Sequence, residues 1–259
     1  MGSAINYFSP RTAAERYSIG RPHFHANTIK HVTEYLRLDR KVENALDIAC
    51  GTGLSSKALL EIAANVYGTD LSQEMLNLAA EREKIHYSLA PAERQPFADS
   101  TFDLITVSSG VHWFDIDRFL TEARRLLKSR SWLVLYENYF ISEMAGNENF
   151  TSWYPDVYLK KFPSPPRNDA YPWTNENLAD KGFILTDEER FKNPVAFNKK
   201  QLALYFTTQS NIIAAVERKQ TTYEQAETWL GQELARFFDR DDTAQTIMFG
   251  NWIKYLQKI

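Results

Sequence analysis

The chain has 259 residues, 44% hydrophobic and 24% charged, with a formal net charge of -3. That is the composition of a soluble globular protein, with enough chain for one large α/β domain or two small ones. The slight negative charge argues against a general nucleic-acid binder, and the single cysteine, Cys50, excludes an intrachain disulfide and suits a reducing cytoplasmic setting.

Nothing in the chain has the length and apolarity of a membrane span. The start, Met1 to Phe8, is short and mixed, unlike a signal peptide. Gly2 invites a myristoylation reading, but Asn6 stands where Ser or Thr is required. Short basic clusters at Arg124-Arg125 and Lys160-Lys161 read as solvated faces.

Residues 1–40 are polar and aromatic, with a helix expected from about Ala26 to Leu38; Ile29, Val32, Tyr35 and Leu36 share one face of it. From residue 42 onward strands and helices alternate. Ala45–Ala49 reads as a strand and Leu54–Ala64 as a helix. Asn65–Thr69 is a second strand, and Ser72 caps a helix carrying Met75, Leu76, Leu78 and Ala79. Ile85–Leu89 and Phe102–Ser108 are the third and fourth strands, the last apolar enough to be buried on both faces. A helix over Asp115–Lys128 and a fifth strand, Trp132–Glu137, complete the run. Such alternation means a parallel sheet with helices on both faces.

Residues 139–180 change character. They hold nine of the 35 aromatic residues and five of the ten prolines. A lid over a ligand and an ordinary packed excursion both fit. Beyond it, Glu188–Phe197 reads as a strand with a bend or edge at Pro194. Gln201–Glu217 and Thr222–Phe238 read as helices, the second opened by a Thr222/Gln225 capping box. Thr246–Leu256 reads as a final strand.

The chemistry starts at Ala45–Gly53, a buried strand that turns through Gly51-Thr52-Gly53 into a helix. Alone this is weak: a dinucleotide fingerprint begins similarly, although Ser56 occupies its third glycine. An acidic residue, Asp70, ends the second strand and could accept hydrogen bonds from both hydroxyls of a ribose. Asp47, inside the strand end, disfavours a pyrophosphate and suits a cationic sulfonium or ammonium group. Small residues, then His112 and Trp113, sit at the carboxyl end of strand four, the edge where open α/β sheets bind ligands.

Taken in order, these motifs resemble the class I S-adenosylmethionine-dependent methyltransferases. The similarity is to the broad small-molecule group (methyltransferase type 11) that includes trans-aconitate methyltransferase-like enzymes, and it is strongest from about Val42 to Glu137. The resemblance implies a Rossmann-like, seven-stranded, mostly parallel sheet with helices on both faces, an antiparallel last strand and an aromatic-rich cap insertion. It implies one domain over 1–259: a lid or helix segment at 1–40, a cofactor core at 41–138, the cap at 139–180 and the rest of the sheet at 181–259.

For the site, the resemblance implies that Asp47, Ala49, Gly51 and Gly53 wrap the methionine part of S-adenosylmethionine, with Ala49 replacing the family's first glycine. Asp70 would hold the ribose. Leu71 and Met75 would pack on the adenine, and Ala92 and Glu93 would form its edge loop. Pro91 stands where the family often has Asp. Ser108 would lie near the methionine moiety, and Tyr17 and Arg21 would fold over the cofactor. Lys128-Ser129-Arg130-Ser131 replaces the family's usual Pro-Gly-Gly turn.

His112 is the candidate general base, with a steric wall or a cofactor hydrogen bond as its other readings. Trp113, Tyr139, Trp153 and Trp173 are candidates for the acceptor pocket. The expected partner is a small-molecule acceptor with an O, N or C nucleophile, a carboxylate among the options; no metal, nucleic acid or membrane is expected. A non-catalytic cofactor-binding protein of the same fold and a nucleotide-cofactor oxidoreductase are the alternatives.

Overall fold

The structure, a computed structural model, describes residues 11–79, 84–166 and 170–259. The Gly2 and Asn6 reading falls outside these residues. In chain order, α1 (Arg11–Gly20) and α2 (His25–Tyr35) precede the first strand, β1 (Val42–Ile48). Then come α3 (Leu54–Leu59), β2 (Ala63–Asp70), α4 (Gln73–Asn77), β3 (Ile85–Leu89) and β4 (Phe102–Ser108). A 3₁₀ turn at Val111–Trp113 leads into α5 (Ile116–Leu126) and the long β5 (Leu127–Met144).

The seven strands form one sheet in the order β3-β2-β1-β4-β5-β7-β6, where β6 is Phe183–Phe197 and β7 is Gln245–Lys258. The first five pair in parallel and the last strands run antiparallel, a Rossmann-like arrangement. Two compact units divide the chain. One gathers residues up to Pro22, Tyr139–Pro166 and Lys192–Gly250; the other gathers His23–Asn138, Arg167–Phe191 and Asn251–Ile259.

The second unit has apolar layers on both sheet faces. On one face Leu46, Ile48, Val107 and Leu135 pack with Phe119, Leu120 and Ala123 of α5. On the other, Ala45, Leu104 and Val134 pack with Ile29 and Val32 of α2 and Leu59 of α3. Alternate residues of one strand thus serve opposite layers, as the pleat requires. Asp115 caps α5, its side chain accepting from the Arg118 N–H at 3.2 Å.

The first unit is aromatic inside. Phe140, Phe150, Trp153, Tyr158, Tyr205 and Phe206 form a chain of ring contacts with centroids 4.7–6.2 Å apart. The segment expected to be an irregular insertion is ordered here as α6 (Asn149–Trp153), a π turn (Tyr154–Tyr158) and α7 (Leu159–Lys161). Further on are α8 (Asn175–Ala179), α9 (Lys199–Thr207), α10 (Ser210–Glu217) and α11 (Tyr223–Leu234).

Several expectations shift. The single helix expected over Gln201–Glu217 is two, because the backbone turns extended at Gln209. The Thr222/Gln225 capping box is present at the start of α11. Strand β5 swallows the expected turn at Lys128–Ser131: Phe102 pairs with Leu127 and Leu104 with Trp132, so the extra residues bulge out, with Arg130 in the left-handed region (φ 61°). Helix α1 was not anticipated, since its apolar positions are few and scattered.

Candidate active site

The loop after β1 is built around Asp47. Its carboxylate is fully buried and accepts from Ser55 Oγ at 2.6 Å, Ser56 Oγ at 2.7 Å and Thr106 Oγ1 at 3.2 Å. Burial pushes its pKa up to about 6, against the pull of those three hydroxyls. Asp47 therefore ties β1 to the start of α3 and to β4, which fixes where the loop leaves the sheet.

The loop itself runs left-handed. Ala49 (φ 58°), Gly51 (φ 55°) and Gly53 (φ 78°) all have positive φ, and Gly53 opens α3. Glycine adopts this region freely; alanine does so at a cost. Cys50 is buried between them, and burial with the nearby Asp47 and Asp70 charges pushes its thiol pKa well up. An un-ionised, enclosed thiol fits a packing role.

Across the sheet, Thr106, Asp47, Gly68 and Tyr87 fall in one register row. Gly68 has no side chain, so the Tyr87 ring lies over it: a Cβ there would come within 2.7 Å of the ring. The same ring reaches Gly53, where a Cβ would collide with the Tyr87 hydroxyl. Sequence reading did not single out Tyr87. The available signal was Gly68 inside a strand, which marks a close approach.

Asp70 ends β2. One of its oxygens accepts the Gly51 N–H and the other the Ser72 N–H, each at 2.8 Å. The Leu71 N–H also points to this carboxylate, and two oxygens with four lone pairs leave capacity for a ligand hydroxyl. Burial raises the Asp70 pKa, opposed by these backbone donors. Beside it lie two apolar side chains in the open: Leu71 is 61% exposed, and Leu89, the register partner of Asp70 on β3, is 54% exposed. Met75 and Ala92 are buried.

Glu93 accepts the Asp115 N–H at 2.9 Å, tying its loop to the cap of α5. Arg125 holds the rest of that loop, donating to the carbonyls of Gln95 and Phe97 and to Glu122 and Asp99. At the end of β4, Ser108 is half-buried. His112 is only 8% exposed, its ring 4.7 Å from that of Trp113.

Sequence reading also missed the middle of β5. Tyr136 is buried on β5 opposite Ser108, and its hydroxyl is 3.0 Å from His25 Nδ1. Nearby, Asn251 Nδ2 donates to Thr28 Oγ1 at 3.0 Å and to Asn138 Oδ1 at 2.9 Å. These residues come from segments more than a hundred positions apart, so no local motif announced them.

The remaining candidates are distributed. Trp113 and Trp173 belong to the second unit, where Trp173 packs on Tyr171 and the core. Tyr139, Trp153, Tyr17 and Arg21 belong to the first. Trp153 is buried and stacks on Phe150, its indole N–H donating to Glu233 at 3.1 Å. The Arg21 guanidinium sits 4.7 Å from the Tyr17 ring centroid and 5.3 Å from that of Tyr205. Among the described residues, no group of three His, Cys, Asp or Glu is arranged to hold a metal, and no helix is long and apolar enough to cross a membrane.

The family profile described as a methyltransferase domain matches residues 46–135. The demethylmenaquinone methyltransferase of Thermobifida fusca is 32% identical over 148 residues, 53% of this chain and 61% of that protein. The chain spans about half the length of the curated relatives it matches. Among solved structures, a type II methyltransferase candidate of Anaeromyxobacter dehalogenans aligns with a TM-score of 0.71 at 18% identity, over 91% of this chain and 97% of that one. A phosphoethanolamine N-methyltransferase of Haemonchus contortus, solved with S-adenosylhomocysteine, aligns with a TM-score of 0.52 at 17% identity, over 100% of this chain and 61% of that one. At these identities the structural likeness concerns the fold.

Proposed function

We propose that this chain, which belongs to the class I methyltransferase family through its residues 46–135, binds S-adenosylmethionine and transfers its methyl group to a small-molecule acceptor. The observation that carries this reading is the arrangement around Asp70. A carboxylate with free lone pairs stands between a left-handed glycine loop and two exposed leucines, Leu71 and Leu89. That combination suits an adenosine: the carboxylate for the ribose hydroxyls, the leucines for the flat base.

In this reading Gly51 and Gly53 let the backbone approach the methionine part, and Ala49 and Ser108 flank it. Met75, Ala92 and Glu93 shape the base's surroundings. When bound, the cofactor supplies an activated methyl group on a sulfonium, which an acceptor displaces in line. The protein's task is alignment, and a near-attack distance of roughly 3–3.5 Å supplies much of the acceleration.

Asp47 acts through the loop: both its oxygens are engaged by the protein's own hydroxyls. His112 is the proposed base for an acceptor that is protonated at working pH. Trp113 and Trp173 of the second unit are proposed to shape the acceptor's surroundings; Tyr139 and Trp153 belong to the first unit, where Trp153 is buried in the aromatic core. The lone, buried Cys50 suits a cytoplasmic protein.

Incubating the protein with a metabolite extract and methyl-labelled S-adenosylmethionine, followed by mass spectrometry, tests this directly. The reading expects a labelled small molecule that is absent when Asp70 is replaced by Ala. Label transferred only to protein or nucleic acid would overturn the small-molecule assignment, and no labelled product in any fraction would favour a non-catalytic cofactor-binding role.

A further inference from the structure

The carboxyl edge of the sheet carries one more ionisable pair that the methyl-transfer reading leaves unused. Tyr136 of β5 is the register partner of Ser108 at the end of β4, and the Ser109 N–H donates to the Tyr136 carbonyl at 2.9 Å. Register partners in a parallel sheet present their side chains to the same face, on strands about 4.8 Å apart. On that face Asp47, Thr106 and Val134 form one register row, so Ser108 and Tyr136 lie one pleat closer to the carboxyl edge. The turn that follows β4 packs through Gly110 on Ala49 of the glycine loop. All of these residues belong to the second unit, as does Asp70.

The Tyr136 side chain is buried, and its hydroxyl is 3.0 Å from Nδ1 of His25, the first residue of α2. The two rings meet edge to face with centroids 5.9 Å apart. His25 itself is half-buried, so its ring can exchange a proton with water.

Helix α2 changes character along its length. Ile29 and Val32 pack into the apolar layer over the sheet. His25 and Thr28 meet polar groups instead: His25 meets Tyr136, and Thr28 meets Asn251, which also bonds Asn138. Burying polar groups costs free energy unless they are bonded, and apolar side chains would pack there without that cost. An imidazole changes charge near neutral pH, and a hydrogen bond at Nδ1 fixes the ring and selects which nitrogen carries the proton. Tyr136 gives His25 that partner.

We propose that His25, oriented by Tyr136, is a proton acceptor of the methyl-transfer site, serving an acceptor bound on the α2 side of the sheet edge. This rests on the methyltransferase reading. The acceptor's nucleophilic atom bonds the methyl carbon as the carbon–sulfur bond breaks with its electron pair on sulfur. The acceptor's proton passes to the His25 imidazole, and the resulting imidazolium releases it to water. Tyr136 is the positioning residue. His112 lies in the turn that leads into α5, whose layer covers the opposite face.

The test follows the histidine ring protons of the full chain by NMR through a pH titration, first saturated with S-adenosylhomocysteine and then with S-adenosylmethionine. The two ligands differ by the methyl group and a positive charge on sulfur. The proposal expects the His25 midpoint to lie lower with S-adenosylmethionine by about half a pH unit or more. His31, further along α2 and 2.8 Å from Glu189, should move less than half as far. His25→Gln identifies the resonance. Tyr136→Phe keeps the ring and should move the His25 midpoint while S-adenosylhomocysteine affinity stays unchanged. With methyl-labelled S-adenosylmethionine and a metabolite extract, His25→Gln should slow label incorporation roughly 10²- to 10⁴-fold at neutral pH, recovered as pH rises. Tyr136→Phe should shift the pH at which incorporation is half-maximal.

Equal His25 midpoints in the two complexes, or an unchanged rate in His25→Gln, overturns the proposal. So does a rate loss that pH does not recover, which would reduce the pair to packing. A folded wild type that binds no S-adenosylhomocysteine, or labels nothing in the extract, instead marks failure of the methyltransferase reading and takes this proposal with it.

Discussion

The methyl group of Ala49 occupies the space that a side chain on Gly110 would need: a Cβ built on Gly110 would lie 2.8 Å from the Ala49 Cβ. Ala49 itself is left-handed (φ 58°), whereas Gly110 (φ -114°) has backbone angles open to any residue. The loop after β1 and the turn after β4 are thus fitted to each other through one methyl group. Gly110→Ala should destabilise the protein by about 1–3 kcal/mol through overpacking alone. Ala49→Gly should range from neutral to about 1 kcal/mol stabilising, since relief of the left-handed strain is offset by a freer unfolded chain. In the Ala49→Gly background the cost of Gly110→Ala should fall by about 1 kcal/mol or more. Urea denaturation of the four proteins in a double-mutant cycle measures this, and strictly additive effects would refute the contact.

Asp47 predicts a pH dependence of stability. Its pKa is near 3.8 when exposed and about 6 when buried in the fold. As pH rises from about 4 to 6, the unfolded chain releases this proton before the folded one does, so unfolding becomes easier. The contribution is favourable below pH 4, is lost as pH passes 6, and is constant beyond. Over that window wild type should lose roughly 3 kcal/mol relative to Asp47→Asn. Measuring unfolding free energies of both proteins between pH 4 and 7.5 tests it. A difference that stays flat, or grows in favour of wild type, contradicts the assignment.

Arg125 should be irreplaceable by lysine. Its fork joins Glu122, Asp99 and the carbonyls of Gln95 and Phe97, and the Gln95 N–H returns to Glu122 at 2.7 Å. A lysine ammonium cannot span those directions. Arg125→Lys should cost about 1–2 kcal/mol and Arg125→Ala somewhat more, because carbonyls of the loop lose their donors. Thermal unfolding monitored by circular dichroism gives the comparison. Equal stability of Arg125→Lys and wild type would mean that charge alone holds the loop.

The outline of the fold was readable from the sequence. Ile85–Leu89 and Phe102–Ser108 are strands with the expected bounds, because their apolar runs are short and sharply flanked. Strand β5 extends to Met144 beyond its expected end because tertiary pairing continues the strand past its most apolar stretch. The glycine loop and Asp70 were legible because each is a local motif. The partners of Asp47 were not: Ser55 and Ser56 look like ordinary helix residues, and Thr106 is 59 positions away. Likewise Tyr136 reads as one more apolar strand residue until His25 is found 3.0 Å from its hydroxyl.

His112 separates two classes of acceptor. For an acceptor that must lose a proton, His112→Gln should slow turnover roughly 10²- to 10⁴-fold, with the loss recovered as pH rises. For an acceptor already anionic at neutral pH, the same variant should leave the rate nearly unchanged. The pH–rate profile of variant against wild type, on whichever acceptor the labelling experiment identifies, decides it. A loss that pH does not recover assigns His112 to shaping the site, as its enclosure against Trp113 would suit.

The most direct test of the account is calorimetric titration of S-adenosylhomocysteine into the full chain and into Asp70→Asn, with folding of both checked by circular dichroism. Asp70→Asn keeps the shape of the side chain but replaces one accepting oxygen with a donor, so one loop N–H and, in this account, one ribose hydroxyl lose their acceptor. The account predicts one binding site in wild type and affinity at least roughly tenfold weaker in the variant. A folded wild type that releases no heat of binding, or a variant that binds equally well, would contradict it.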